Sequence, residues 1–294
     1  LKMNIYISTG GDKDKKGTEV FDTLKSKGIE NIEFSGGIYI KNFEKHFYKN
    51  IKKYKNRTQL HNYFPPPSKS FVFNLSSQDK VISKASIDLV KKNIIRSKKI
   101  GTQFYSFHAG FRIDPKPKEL GKKFKIIKIL SKQQAEDIFL KRLIKLNKLA
   151  KKNNVKLLIE NNVINKKNLR TFKTNPLLLT SPSEILSFFK KLRSHKLDIG
   201  LLLDVAHLKV SSKTLGFNLQ KAHKDLNQII TAYHLSDNNG LVDSNKKFTN
   251  RSWFWKNLKK SVKFFTIEVY NVNYKSYLNL INILKSKLQR YEKF

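Results

Sequence analysis

Short apolar runs, rich in β-branched and aromatic residues, alternate along the chain with longer stretches in which apolar positions recur every three or four residues. The short runs predict buried strands at 4–8, 31–35, 71–75, 103–107, 155–159, 199–203, 229–233 and 264–267. Between them the helical period is clearest over 135–150, where Phe139, Leu143, Leu146 and Ala150 share one face. Another helix starts at Ser181-Pro182-Ser183-Glu184, where serine at the cap, proline in the first turn and glutamate three residues on have the form of a capping box. A last helix over 277–288 closes the series.

Eight strands, each followed by a helical segment, in 294 residues is the arithmetic of a (β/α)8 TIM barrel, expected as a single domain over 1–294. The rival is an open, doubly wound α/β sheet. Ser8-Thr9-Gly10-Gly11-Asp12, after the first strand, lacks the G-x-G-x-x-G spacing, so dinucleotide binding has no support. Residues 62–70, with Pro65-Pro66-Pro67, read as an extended loop or insertion rather than a domain boundary.

Composition narrows the chemistry. With no cysteine, a disulfide scaffold, a thiolate zinc site, an iron–sulfur cluster and a thiol nucleophile are all excluded. No apolar run reaches the roughly 20 residues of a membrane span, and the opening LKMNIYISTGG lacks the apolar core of a signal peptide. A soluble cytoplasmic protein without a membrane partner is expected. The net charge of +38 would ordinarily point to nucleic acid. Only 8 of the 60 basic residues are arginine, however, and the lysines cover the whole chain among many Asn and Ile, as an AT-rich coding bias would leave them. Phosphate-reading surfaces favour arginine. A solvated lysine coat is therefore weighed above a polyanion site, and clusters such as Lys52-Lys53 and Lys259-Lys260 do not decide between the two.

The position of the ionisable residues is more informative. Tyr105-Ser106-Phe107-His108, Leu157-Leu158-Ile159-Glu160, Leu201-Leu202-Leu203-Asp204, Thr231-Ala232-Tyr233-His234 and Phe265-Thr266-Ile267-Glu268 each carry an apolar run into a potential ligand. His61 precedes another apolar run and is a candidate to join them. In a barrel the carboxyl ends of the strands converge on one mouth, where such folds hold their chemistry. A polar strand end is often only a turn former, but five together are hard to assign to turns. Three carboxylates packed in one mouth repel and raise each other's proton affinity, and a divalent cation is the simplest way to keep them ionised. The mixed oxygen and nitrogen set suits Mn, Mg, Co or Zn.

These residues resemble the xylose isomerase-like TIM barrels, which include sugar isomerases and epimerases and the endonuclease IV type of apurinic/apyrimidinic endonuclease. The resemblance is carried by Phe107-His108-Ala109-Gly110, Ile159-Glu160-Asn161, Asp204-Val205-Ala206-His207, His234-Leu235-Ser236-Asp237-Asn238 and Ile267-Glu268, and covers nearly the whole chain. By similarity to the isomerase and epimerase branch, Glu160, Asp204, His234 and Glu268 would hold one divalent metal and His207 would contact substrate. His108, Asp237 and Trp253 are further substrate-binding candidates. The chemistry implied is proton abstraction next to a carbonyl through an enediolate, with Glu160 and Glu268 as the candidate bases on opposite sides of a sugar or sugar-phosphate carbon.

The endonuclease branch uses three zincs. His61 and His108 match its two early histidines and are candidate additional metal ligands, although residues 62–70 would be an insertion relative to that pattern. Its third zinc takes the histidine of Asp-x-x-His and both ends of an Asp-x-His motif, which here reads Asp243-Ser244-Asn245. Asparagine replaces imidazole poorly, so a phosphodiesterase acting on damaged DNA is the alternative rather than the first reading. Nucleic acid is a partner only under that alternative, and the oligomeric state stays open.

Other residues carry two readings each. His46, His195 and His223 fall in polar helix-like stretches and are expected to face solvent. Trp253 and Trp255 could wall a sugar pocket or pack in the core. Glu33 could bind a hydroxyl in the mouth or pair with a buried lysine, and Arg112 could meet a substrate anion.

Overall fold

Strands that alternate inward and outward around a closed sheet are buried on both faces, so most of the strand sequences here are apolar runs rather than alternating. A computed structural model describes residues 3–120, 122–125 and 128–289, and the two ends of the expected 1–294 domain lie outside the described residues. The strands are β1 (Asn4–Ser8), β2 (Ile32–Phe34), β3 (Thr58–His61), β4 (Phe104–His108), β5 (Lys156–Glu160), β6 (Ile199–Asp204), β7 (Ile230–Leu235) and β8 (Phe264–Ile267). They pair in chain order into a closed barrel, all parallel, with β1 against β8 completing the ring.

Outward positions such as Leu157, Ile159, Leu201, Leu203, Tyr233, Leu235, Phe265 and Ile267 join the large core between sheet and helices. The intervening Leu158, Leu202 and Ala232 form a separate small cluster with Phe104. Glu160, Asp204 and His234 lie two residues further along those strands, so side-chain alternation puts them on the same inner face, nearer the carboxyl end.

The outer layer contains α1 (Gly17–Ser26), α2 (Phe43–Lys49), α3 (Ile51–Tyr54), α4 (Lys80–Ile100), α5 (Lys132–Lys152), α6 (Lys166–Phe172), α7 (Pro182–Ser194), α8 (Val205–Leu215), α9 (Leu219–Leu226) and α10 (Tyr274–Gln289). The period over 135–150 lies inside α5, whose buried face includes Phe139, Leu143, Leu146 and Ala150. At α7 the Ser181 hydroxyl caps the Glu184 amide, but the Glu184 carboxylate accepts from the Thr180 amide at 3.0 Å rather than completing the expected box on Ser181. Between β7 and β8 the described chain has only a 3-10 turn, Trp253–Asn257, in place of the expected helix.

The third strand differs from the sequence expectation. It is Thr58–His61, not 71–75. Its inward Gln59 and His61 are polar because their partners inside the barrel are polar, so the strand carries almost no hydrophobic signal. The run at 71–75 is extended and buried but joins no ladder. Its polar groups are satisfied by side chains: the Phe71 amide donates to Tyr63 Oη and the Asn74 amide to Ser86 Oγ. The Asn74 side chain also donates to the Phe111 and Ile113 carbonyls. Residues 62–79 are therefore the loop from β3 to α4, which places His61 at a strand end.

Candidate metal centre

Each ligand candidate owes its place to a local device. At the end of β6 the Asp204 carboxylate accepts from the His207 amide at 2.8 Å and caps α8, which starts at once. One oxygen is thus committed to the helix, while Oδ2 is buried without a hydrogen-bond partner. The same geometry explains the Asp-x-x-His spacing, since the capped amide belongs to the histidine whose ring turns back over the mouth. Asn161 locks the neighbouring strand end: its side chain accepts from the Asp204 amide at 2.8 Å and donates to the Asp204 carbonyl at 3.2 Å.

Glu160, Asp204, His234 and Glu268 each offer an atom within 4.8 Å of the others, and all four are buried. His234 Nε2 lies 3.2 Å from Glu33 Oε2 in a hydrogen bond, so Nδ1 is left for the cluster, 2.8 Å from Glu268 Oε2 and 3.5 Å from Glu160 Oε1. Glu33 is fully buried and also accepts from Gln59 Nε2 at 2.6 Å and Thr266 Oγ1 at 3.0 Å. It is neither a lysine partner nor a hydroxyl binder at the rim but a carboxylate that fixes the tautomer of His234, the arrangement expected behind a ligating histidine.

A second group, His61, His108 and Glu160, lies beside the first. His61 Nε2 is 3.2 Å and His108 Nδ1 3.3 Å from Glu160 Oε2. His207 donates Nδ1–H to the Asn161 carbonyl at 2.8 Å and presents Nε2 to Asp243 Oδ2 at 3.2 Å. Asn245 is buried and donates to the Glu268 carbonyl, so it takes no part in a ligand pair.

The charges in this cluster are under tension. Burial would push the Glu160 carboxyl up, but His108, His234 and His61 around it hold it well below the usual carboxylate range. Burial also opposes ionisation of Glu268, yet His234 brings it down to about 2. At Asp204 burial wins, helped by Glu160, Asp243 and Glu268, and the group is pushed up to about 7 against the pull of His207. Burial disfavours charged His207 and His234, but the carboxylates overcome it and raise both well above the ordinary imidazole value. His108, richer in histidine neighbours, is instead driven down to about 4 by burial despite Glu160.

Without an ion, the surrounding carboxylates favour the protonated forms of His207 and His234. The atoms that face one another without hydrogen bonds, Glu160 Oε1 and Oε2, Asp204 Oδ2 and His234 Nδ1, are those a divalent cation would take, and their oxygen and nitrogen donor set fits one.

Other expected residues lie elsewhere. Asp237 is engaged by Lys209 at 2.6 Å, Ser252 Oγ at 2.7 Å and the Asn238 amide at 2.8 Å, which ties down the β7–β8 loop. Trp253 packs in the outer layer against His223 and Phe254. Arg112 donates to the Leu130 and Asn175 carbonyls and to Thr174 Oγ1, so it is a loop clamp rather than an anion receptor. His46 and His195 are exposed, whereas His223 is fully buried, contrary to the expectation from its polar neighbours. The sequence assigned no role to Asn161, although it belongs to the Ile159-Glu160-Asn161 motif, nor to Gln59 or Tyr270, because a lone Gln or Tyr has no pattern that marks it.

Comparison with known proteins matches residues 21–273 to the family described as Xylose isomerase-like TIM barrel. No curated protein matches the chain. Among solved structures, a D-tagatose 3-epimerase-like protein superposes with a TM-score of 0.71 at 17% identity, covering 99% of each chain. D-psicose 3-epimerase with D-tagatose from Clostridium cellulolyticum H10 gives 0.60 at 13%, covering 99% of this chain and 98% of that one. The IOLI protein with a binding zinc atom gives 0.64 at 13%, covering 98% and 99%. At such identities the likeness is one of fold. Among the described residues no helix is long and apolar enough to cross a membrane.

Proposed function

The chain belongs to the xylose isomerase-like TIM barrel family, and from that premise we propose that it is a divalent-metal-dependent isomerase or epimerase of a sugar or sugar phosphate, working in the cytoplasm. The observation that carries this reading is the buried set Glu160, Asp204, His234 and Glu268, in which Glu160, Asp204 and His234 present donor atoms without hydrogen-bond partners. The names of the structural neighbours, two of them sugar 3-epimerases or like them and one bound to zinc, support it.

A bound divalent ion supplies Lewis-acid polarisation of a substrate carbonyl and acidifies the adjacent C–H. The chain's own part is proton handling. Glu160 and Glu268, both held as carboxylates by the surrounding histidines, enter from β5 and from the end of β8. One carboxylate removes the proton beside the carbonyl and becomes a carboxylic acid; the other must first take up a proton, which it then returns to the opposite face and so inverts the carbon. His108, the more exposed of the two neighbouring histidines, is the candidate to contact a substrate oxygen, while His207 would do so only by giving up its contact with Asp243. The surrounding Glu33, Gln59 and Asn161 hold the strand ends still, which is what positioning catalysis requires.

A second reading keeps one specific support. His61 and His108 close on Glu160 and His207 closes on Asp243, pairs that further ions could take in a phosphodiesterase acting on abasic DNA. Asn245 stands against the complete three-metal site. Elemental analysis of the purified protein and of Asp204→Ala and His61→Ala separates the readings. About one Mn, Mg, Co or Zn per chain, lost with Asp204 and kept without His61, is expected. Two or three zincs reduced by His61→Ala, with metal-dependent and salt-sensitive nicking of abasic DNA, would establish the second reading instead. No metal under any condition would overturn both.

A further inference from the structure

Glu268 is held by two residues that the reaction scheme leaves unused, Tyr270 and Asn245. Tyr270, two residues beyond it, donates its hydroxyl to Glu268 Oε1 at 2.7 Å, while Oε2 faces His234 Nδ1 at 2.8 Å. The two carboxylate oxygens are therefore inequivalent: one is bound by the phenol and the other is turned into the ligand cluster. Asn245 braces the same segment from the β7–β8 loop. Its side chain donates to the Glu268 carbonyl at 3.2 Å and its own carbonyl accepts from the Tyr270 amide at 2.9 Å. Asn245 has φ of 41°, a left-handed conformation that asparagine tolerates better than most residues.

The phenol ring lies over the turn after β1. A Cβ on Gly10 would stand 3.0 Å from Tyr270 Oη, and one on Gly11 would stand 3.0 Å from the ring and 3.3 Å from the Tyr270 Cα. Both approaches are tighter than ordinary van der Waals contact, so the paired glycines, which have no phosphate-binding spacing, make room for the ring.

Resting on the metal reading above, we propose that Tyr270 and Asn245 are positioning residues that hold Glu268 with Oε2 toward the metal, and that Gly10-Gly11 is the seat that admits Tyr270. A glutamate carries several free torsions, and fixing the oxygen that does not ligate removes alternatives that would compete with binding. The asparagine that departs from the endonuclease pattern thereby has a task of its own, as a brace on backbone rather than a ligand.

The test uses Co2+ alone with metal-stripped full-length protein, read by competition titration and by the visible absorption of the bound ion. Tyr270→Phe keeps the ring and removes only the hydroxyl. It is expected to weaken Co2+ binding about 10-fold or more and to change the visible spectrum, with far-ultraviolet circular dichroism unchanged. Gly10→Ala, whose methyl would meet the hydroxyl, is expected to move both readings the same way, and the double variant to bind no more weakly than Tyr270→Phe. Wild-type affinity and spectrum in Tyr270→Phe would overturn the inference while the metal reading stood. Additive losses in the double variant would overturn the glycine seat, and a wild-type protein that takes up no Co2+ would overturn both readings.

Discussion

His223 gives the sharpest stability prediction because it is fully buried and is not one of the residues grouped as metal ligands. The residue has 0% exposure, its Nδ1 has no hydrogen-bond partner and its ring stands edge-on to Trp253 at 5.6 Å. Its Nε2 lies 2.9 Å from the Tyr233 hydroxyl, which itself accepts from the Lys259 amide. The hydroxyl therefore donates to His223, and Nε2 must be unprotonated to receive it. Burial lowers the pKa from 6.5 to about 4. On acidification the unfolded chain takes up this proton near its ordinary pKa, whereas the folded chain resists until about 4. The stabilisation is thus fully present above the unfolded value and is lost as pH falls through the window between the two. For those two pKa values the linkage relation gives a loss of about 2.5 kcal/mol at about pH 4.5 relative to neutral pH. Urea unfolding of metal-stripped wild type and His223→Gln, each at about pH 7.5 and about pH 4.5, measures it as a double difference in which the site histidines cancel. A His223→Gln protein that loses as much stability on acidification as wild type would refute the reasoning.

Two further outcomes are expected. Gly200→Ala puts a methyl 2.3 Å from Thr231 Oγ1 and 2.7 Å from Leu158 Cδ2 inside the barrel; overpacking should cost about 1–3 kcal/mol, and an unchanged urea midpoint would show that the barrel interior has slack. Glu33→Gln keeps the volume but removes the carboxylate behind His234; zinc affinity against a chromophoric chelator should fall about 10–100-fold, and an unchanged affinity would free Glu33 from any part in the site.

The strands that bear the ligands were legible because each ends an aliphatic or aromatic run in one ionisable residue, as in Leu157-Leu158-Ile159-Glu160 and Leu201-Leu202-Leu203-Asp204. β3 was not, because a strand whose inward side chains are Gln59 and His61 has lost the hydrophobic signature that marks a strand. The run at 71–75 looked like one because burial against the barrel selects the same residue types as burial within it. His223 was misplaced for a related reason: the polar residues on either side of it in sequence face solvent, and helical period alone did not show that its own face turns inward. Trp253 and Asp237 drew notice for their chemical type, but their neighbours in space give them packing and loop-tying tasks.

The sequence by itself determined most of the barrel, through seven apolar runs that are strands in alternation with helical periods, and it determined which side chains stand at the ends of those strands, since alternation along a strand is a local property of the backbone. It also determined the Asp-x-x-His unit, because a capping carboxylate and the third residue of the helix it caps are joined by local geometry. Only the tertiary structure decided which strand-end groups meet, that Glu33 stands behind His234 and that Asn245 and Tyr270 brace Glu268. Those pairs are separated by up to 201 residues in the chain. The contacts from Glu33 and Asn245 are fixed by how distant strands and loops meet around the closed barrel, and no local pattern of residues encodes them, whereas Tyr270 reaches Glu268 from two residues away.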